Sequence, residues 1–296
     1  MKKYILIFLV PSIVLSQSMT TGAGFLKIGL GPRAGGMGEA HVAMTGSADG
    51  SYYNPAGVAL AGSPQIALTH RAWIADVQSQ SLSAVLPHDN VGFGLNITTT
   101  TVSNIEIRTT PGDPEGTFTS RSFVLGGSVA YTLTDDLTTG ATAKYVFEKI
   151  FVDEWSGIGF DLGVHYRTPV EGLVLGVSLS NLGSISGTNT PSIELPTTFR
   201  GGAAFGFAVE KLQSEITLAA DAVQLTRDGI FHSHLGGEIV FDRTVALRLG
   251  YQSGYDFRNL TVGAGVRYRS LALDYCIIPM SQQIGTAQTI GLSITL

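Results

Sequence analysis

From about residue 65 to its end, the chain alternates apolar and polar side chains with period two, as a half-buried strand does. In Ile158-Gly-Phe-Asp-Leu-Gly-Val-His-Tyr166, residues Ile158, Phe160, Leu162, Val164 and Tyr166 share one face, while Asp161, His165 and then Arg167 share the other. Leu260 to Tyr268 repeats the design with Arg267 and Arg269 opposite the apolar side, and Val245 to Tyr251 places Arg248 opposite Val245, Leu247 and Leu249. Similar segments at 65–73, 77–87, 90–102, 117–133, 137–150, 172–182, 197–209, 214–225, 231–242, 271–279 and 285–296 bring the total to about fourteen. Most have the roughly 9–11 residues that a tilted strand needs to cross a bilayer.

Charges test what the strand faces meet. Lys144, Glu148, Asp161, Arg167, Arg200, Glu215, Asp221, Glu238, Arg248, Arg267, Arg269 and Asp274 all fall opposite the large apolar residues of their strands. A Lys or Arg facing lipid costs about 2–4 kcal/mol at the bilayer midplane, so a barrel with an apolar outside and a polar lumen explains the segregation. Connection lengths agree. Short turns near 87–90, 134–136, 168–171, 210–213, 241–244 and 269–270 alternate with the longest connections, 103–116 and 183–196. In outer-membrane barrels short turns are periplasmic and long loops external, which puts both termini in the periplasm.

Composition narrows the class further. The chain is 44% hydrophobic but only 14% charged, against about 25% in an ordinary soluble domain. Its mean hydropathy is +0.25, yet after Gln17 no apolar run reaches the length of a membrane helix. Met1-Lys2-Lys3 followed by the apolar Tyr4 to Leu15 reads as a signal peptide over residues 1–16. A net charge of −5 argues against a nucleic-acid partner, and the single Cys276 excludes an intramolecular disulfide.

Residues 17–63 differ from the barrel segment, 64–296. They are rich in Gly and Ala, and their periodicity suits short helices and turns, so they are expected to form a plug inside or beneath the barrel. Gly29-Leu-Gly31-Pro-Arg-Ala34 has the spacing of a dinucleotide-binding turn, but no strand precedes it. Asn54-Pro55 is a turn signal.

No enzyme constellation and no cofactor motif is evident. His232 and His234 share a strand face with Glu238, but they are about 7 Å apart along the strand and no neighbouring third ligand closes a metal site. Lumen lining is the better account of them. Cys276, flanked by Tyr275 and Ile277, reads as a small packed side chain.

Three runs, Arg33-Ala-Gly-Gly-Met-Gly-Glu-Ala40, Asp49-Gly-Ser-Tyr-Tyr-Asn-Pro-Ala-Gly57 and Leu195-Pro-Thr-Thr-Phe-Arg-Gly201, resemble the PorV/PorQ family, itself similar to the FadL long-chain fatty-acid transporters. The resemblance implies a fourteen-stranded outer-membrane barrel whose plug motif is Arg33, Gly35, Gly36, Met37, Gly38, Asn54 and Pro55. It further implies work in type IX protein secretion, with secretion-machinery or cargo proteins as partners besides outer-membrane lipid. One departure is the final residue, Leu296, where an aromatic is usual. On this reading Ile185, Ile193 and Leu195 are contact residues on an external loop. The alternative is a FadL-like transporter of hydrophobic small molecules. The mixed charge of the inward set favours a filled, salt-bridged interior over an oily conduit, although plug residues could line an apolar pocket that strand parity does not reveal.

Overall fold

Strands with one apolar and one polar face can span lipid only if the sheet closes, because an open edge leaves backbone groups unpaired. The computed structural model, which describes residues 21–44, 46–188 and 191–296, is such a closed antiparallel sheet. Its strands are β1 (Gln65–Ala72), β2 (Val77–His88), β3 (Val91–Ile107), β4 (Gly116–Thr134), β5 (Leu137–Ile150), β6 (Asp153–Arg167), β7 (Leu173–Gly187), the two-residue β8 (Ile193–Glu194), β9 (Thr198–Val209), β10 (Ser214–Leu225), β11 (Ile230–Phe241), β12 (Val245–Ser253), β13 (Leu260–Tyr268), β14 (Leu271–Pro279) and β15 (Thr286–Thr295). Apart from the short β8, which lies on β7, these form a fourteen-strand barrel in which each strand pairs with its sequence neighbours. β15 closes it on β1, from Gln65 opposite Thr295 to Ala72 opposite Gln288.

Alternation places the side chains as lipid requires. Leu68, Phe93, Phe160, Leu162, Leu218, Leu247, Leu249 and Leu292 are exposed on the outer face. Tyr131, Tyr166 and Tyr268 are exposed close to the short turns, where an aromatic girdle belongs. Of the segregated charges, Lys144, Asp161, Arg200, Asp221, Glu238 and Arg248 are buried in the lumen. Arg167, Glu215, Arg267 and Arg269 keep inward parity but sit at strand ends and are exposed.

The two stretches expected to be the longest loops are about half strand. β3 continues to Ile107 through a bulge between Val102 and Ile105, with Asn104 at φ 59°, and β4 starts at Gly116, so the connection shrinks to 108–115. β7 likewise runs on to Gly187, and β8 pairs back with it at Ser184 and Ile185. Hydrophobic alternation fades there because a ladder that rises past the bilayer needs no lipid face. β3 and β4 have 17 and 19 residues against nine in β12, β13 and β14, so one side of the barrel stands well above the other.

Ahead of β1, the described chain lies inside the barrel. It begins at the rim of the longer connections, where Gly22 N–H donates to Glu194 O (3.1 Å) and Lys27 Nζ meets Asp228 (2.5 Å). It then descends. The helix α1 (Pro32–Gly36) packs on β12 to β15, and the 3₁₀ turn Pro55–Leu60 packs on β2 to β6. Between them Met37 abuts Gly236 of β11, and Val42 abuts Gly176 of β7. The segment thus sweeps round the wall before entering β1 from the short-turn rim. The strand phase alone placed both termini at that rim. Leu296 is there, but the first described residues, Thr21 and Gly22, lie at the opposite one. Strand phase could not register this, because it says nothing of a segment that threads the lumen. The signal-peptide residues 1–16 lie outside the described residues.

Candidate functional site

The plug and the wall it touches form the candidate site, and the motif residues are its fastenings. Close approach of two backbones requires the wall to lack side chains. A Cβ on Gly140 would collide with the Pro55–Ala56 peptide, one on Gly250 with Gly38 N, and one on Gly263 would lie 3.0 Å from Gly36 Cα. Gly35 rests against Cys276, whose Sγ would stand 2.6 Å from a Cβ there, so Cys276 is a packed side chain. Thr261 Oγ1 accepts from Gly38 N–H (2.9 Å) and donates to Gly36 O (3.1 Å), while Gln252 donates to Gly38 O (3.1 Å). Asn54 reaches in three directions: its amide donates to Val42 O (2.8 Å) and Val164 O (2.9 Å), and its Oδ1 accepts from Ala56 N–H (3.1 Å). Pro55 follows at the first helical position, where its missing N–H costs nothing.

Arg33 ties α1 to the wall. Its Nη2 and Nε lie 2.6 and 3.1 Å from the Glu238 carboxylate, which also takes Arg248 Nε at 2.6 Å. Arg248 Nη1 reaches Asp274 at 2.6 Å. Beside a cavity of about 320 Å³ lined by Arg33, Asp49, Arg267 and Asp274, this chain of alternating charges crosses the short-turn half of the lumen. His41 lies next to it with both ring nitrogens unpartnered. Burial, reinforced by the positive field of Arg33, lowers its pKa to about 3, so the imidazole is neutral. Burial likewise raises the Asp49 carboxyl above its ordinary value.

The other half of the lumen is different. Between the start of the plug and the wall of β3 to β6 lies a cavity of about 50 Å³, bordered by Phe25, Leu26, Ile28, Leu30, Tyr52 and Val124. Lys144 and Asp161 form its polar edge, paired at 2.7 Å, and Asn181 at a bulge of β7 accepts from the same amine at 2.5 Å. Tyr52 Oη donates to Leu26 O (2.8 Å), fixing the roof of the cavity.

Ile185 and Leu195, read from the sequence as external contact residues, are 1% and 0% exposed. They pack inside with Ala23, Leu26, Val124 and Val146, and half-buried Ile193 packs against that cluster. The bulge at Asn181 shifts the parity of β7, and this turns Ile185 inward. His232 and His234 hold Tyr255 rather than one another: His232 stacks on its ring at 3.7 Å, and His234 Nε2 is 3.1 Å from its hydroxyl. Sequence reasoning missed Glu39, Arg71 and Arg258. Arg71 was legible, since it has the inward parity of Ala67 and Thr69. The other two lie outside strands, where parity carries no information.

No protein-family model matches the chain, and no curated protein matches it by sequence. Solved structures do. The P. putida toluene transporter TodX aligns at 12% identity with a TM-score of 0.65, covering 90% of this chain and 99% of that one. The CymD monoaromatic hydrocarbon channel aligns at 14% and 0.64, covering 90% and 96%. A Pseudomonas aeruginosa FadL homologue aligns at 11% and 0.54, covering 88% and 97%. At these identities the likeness establishes the fold alone, a closed fourteen-strand antiparallel barrel like those of these proteins. The narrower PorV/PorQ assignment is not supported by these likenesses.

Proposed function

We propose that this protein is an outer-membrane channel for small hydrophobic molecules, with its short-turn rim in the periplasm and the plug as its gate. The observation that carries this reading is the apolar cavity formed by Phe25, Leu26, Ile28, Leu30, Tyr52 and Val124 between the plug and the wall. Its present volume of about 50 Å³ is below the roughly 150 Å³ in which a benzene ring is held, so a monoaromatic solute enters only when residues 25–30 shift. The similarity to TodX and CymD supports the same solute class. The salt-bridged interior, which from sequence favoured a protein-contact role, is spread over both halves of the lumen and leaves this cavity between them and the wall. The residues read from the sequence as outer-loop contacts for a secretion role, Ile185 and Leu195, are turned inward.

The test compares a deletion strain complemented with wild type or with Val124→Trp, which fills the cavity. Uptake of labelled toluene is expected to fall on deletion and to stay low with the tryptophan variant, while heat-modifiable barrel is still made. Unchanged toluene uptake on deletion, together with loss of secreted cargo, would reinstate the secretion reading.

A further inference from the structure

On the wall facing the apolar cavity, at the end of the lumen with the longer connections, buried positive charge outnumbers negative. Arg71 near the end of β1, Arg200 near the start of β9 and Arg258 between β12 and β13 are 2%, 8% and 9% exposed. All three act on Glu39. Arg258 Nη1 stands 3.5 Å from Glu39 Oε1, too far to count as a good hydrogen bond. The next carboxylate, Asp221, has one oxygen engaged by the backbone N–H groups of His41 and Val42, at 2.8 and 2.9 Å. Arg71 spends its Nε on Thr289 (2.8 Å) and its Nη1 on Gly29 O. This leaves Arg71 Nη2, Arg200 Nη1 and Arg258 Nη1 buried without an acceptor. Three guanidinium groups against Glu39 and Asp221, whose Oδ1 is also without a partner, leave one positive charge.

Aromatic rings flank these arginines. The Arg258 guanidinium lies 4.1 Å from the Tyr255 ring and 5.3 Å from Trp73, Arg71 lies 5.6 Å from Trp73, and Arg200 lies 5.4 Å from Tyr53. Rings hold the guanidinium planes but accept few of their hydrogen bonds. Water could accept those bonds, but it would leave the charge. An oxyanion does both, since a planar carboxylate or tetrahedral sulfate matches the guanidinium fork.

We propose that the Arg71, Arg200 and Arg258 cluster around Glu39 binds one small oxyanion, of the carboxylate or sulfate type. The site is reached from the longer-connection rim, to which Trp73, Tyr255 and Arg258 belong. It does not depend on the transport reading. Glu39 is a built-in competitor for the same donors and tunes the affinity downward.

The chain has two tryptophans, so Trp155→Phe leaves Trp73, beside two of the arginines, as the only tryptophan, and its emission is excited selectively over that of the tyrosines. The full-length variant in detergent is titrated with acetate, benzoate and sulfate at constant ionic strength. A saturable change in emission is expected, weakened about tenfold or more by Arg200→Gln or Arg258→Gln, as loss of a charge-assisted bond implies. Glu39→Gln is expected to tighten binding, a change opposite in sign to that of a folding defect. Benzoate binding more tightly than acetate would identify an aromatic acid, and equal affinity a simple oxyanion. A response that does not saturate, or one that neither arginine variant nor Glu39→Gln alters, overturns the proposal.

Discussion

Arg248 shows how much one side chain can carry in a lumen. Its guanidinium is fully buried and shared by Glu238 and Asp274. Removing one partner of a buried ion pair leaves an uncompensated charge and costs about 3–5 kcal/mol. Arg248→Met is therefore expected to lower stability to denaturant by several kcal/mol, far more than Lys149→Met, whose partner Glu154 is an exposed neighbour. His41 offers a pH readout. Its ordinary value is 6.5 and its folded value about 3, so the unfolded or undocked chain takes up the proton first. Docking of the plug is complete above pH 6.5 and weakens as pH falls toward 3. The charged groups facing it are Arg33, Glu238 and Arg248. Asp49, shifted upward, acts in the opposite sense and gains weight only as its own carboxyl protonates. Planar-bilayer conductance is expected to rise as pH falls below 6.5, and less so in His41→Gln. A flat wild-type profile would show that His41 does not govern the plug.

At the scale of elements, the connections carry the orientation. The 108–115 connection caps the tall β3–β4 hairpin, whereas β4 and β5 meet in a turn at Asp135 and Asp136. A tag inserted near Asp113 is expected to be labelled on intact cells, and one near Asp135 only after permeabilisation. The reverse pattern would invert the barrel in the membrane. Asn189, the other external position read from the sequence, lies outside the described residues. The strand β7 illustrates how an element departs from its own alternation: at Asn181, with φ 62°, one extra residue is accommodated and the backbone N–H donates to Asp161 Oδ1 at 2.7 Å. A carboxylate from the neighbouring strand thus replaces a ladder bond, and everything beyond it changes face.

For the whole molecule, closure is the decisive event. β15 pairs with β14 on one side and β1 on the other, so it supplies two ladders at once. Ending the chain after Gly285 removes it and leaves two edges unpaired in lipid, at several kcal/mol for each unsatisfied group. That truncation is expected to yield degraded or periplasmic protein without heat-modifiable migration. Recovery of a membrane-inserted, heat-modifiable species would mean that the thirteen remaining long strands can close without it.

The amino-acid sequence by itself determined the barrel. Period two is a local property of a strand, and lipid outside with water inside imposes it on every crossing, so strand number, most strand limits and the inward set of charges can be read position by position. The Gly-rich character of residues 22–62 also marked a segment unlike the strands, because close backbone packing demands small residues wherever it occurs. Tertiary structure alone decided which lumenal groups meet. Arg33 and Glu238 are 205 positions apart, and Thr21 and Asp228 are 207 apart, so no window of sequence couples them. It also decided that the plug starts at one rim and ends at the other, that Ile185 and Leu195 face inward, and that Arg71, Arg200 and Arg258 gather around Glu39 apart from the apolar cavity. The physical reason is that closure fixes the order of the wall around its circumference, and only a closed wall gives a threading segment distant partners to choose between.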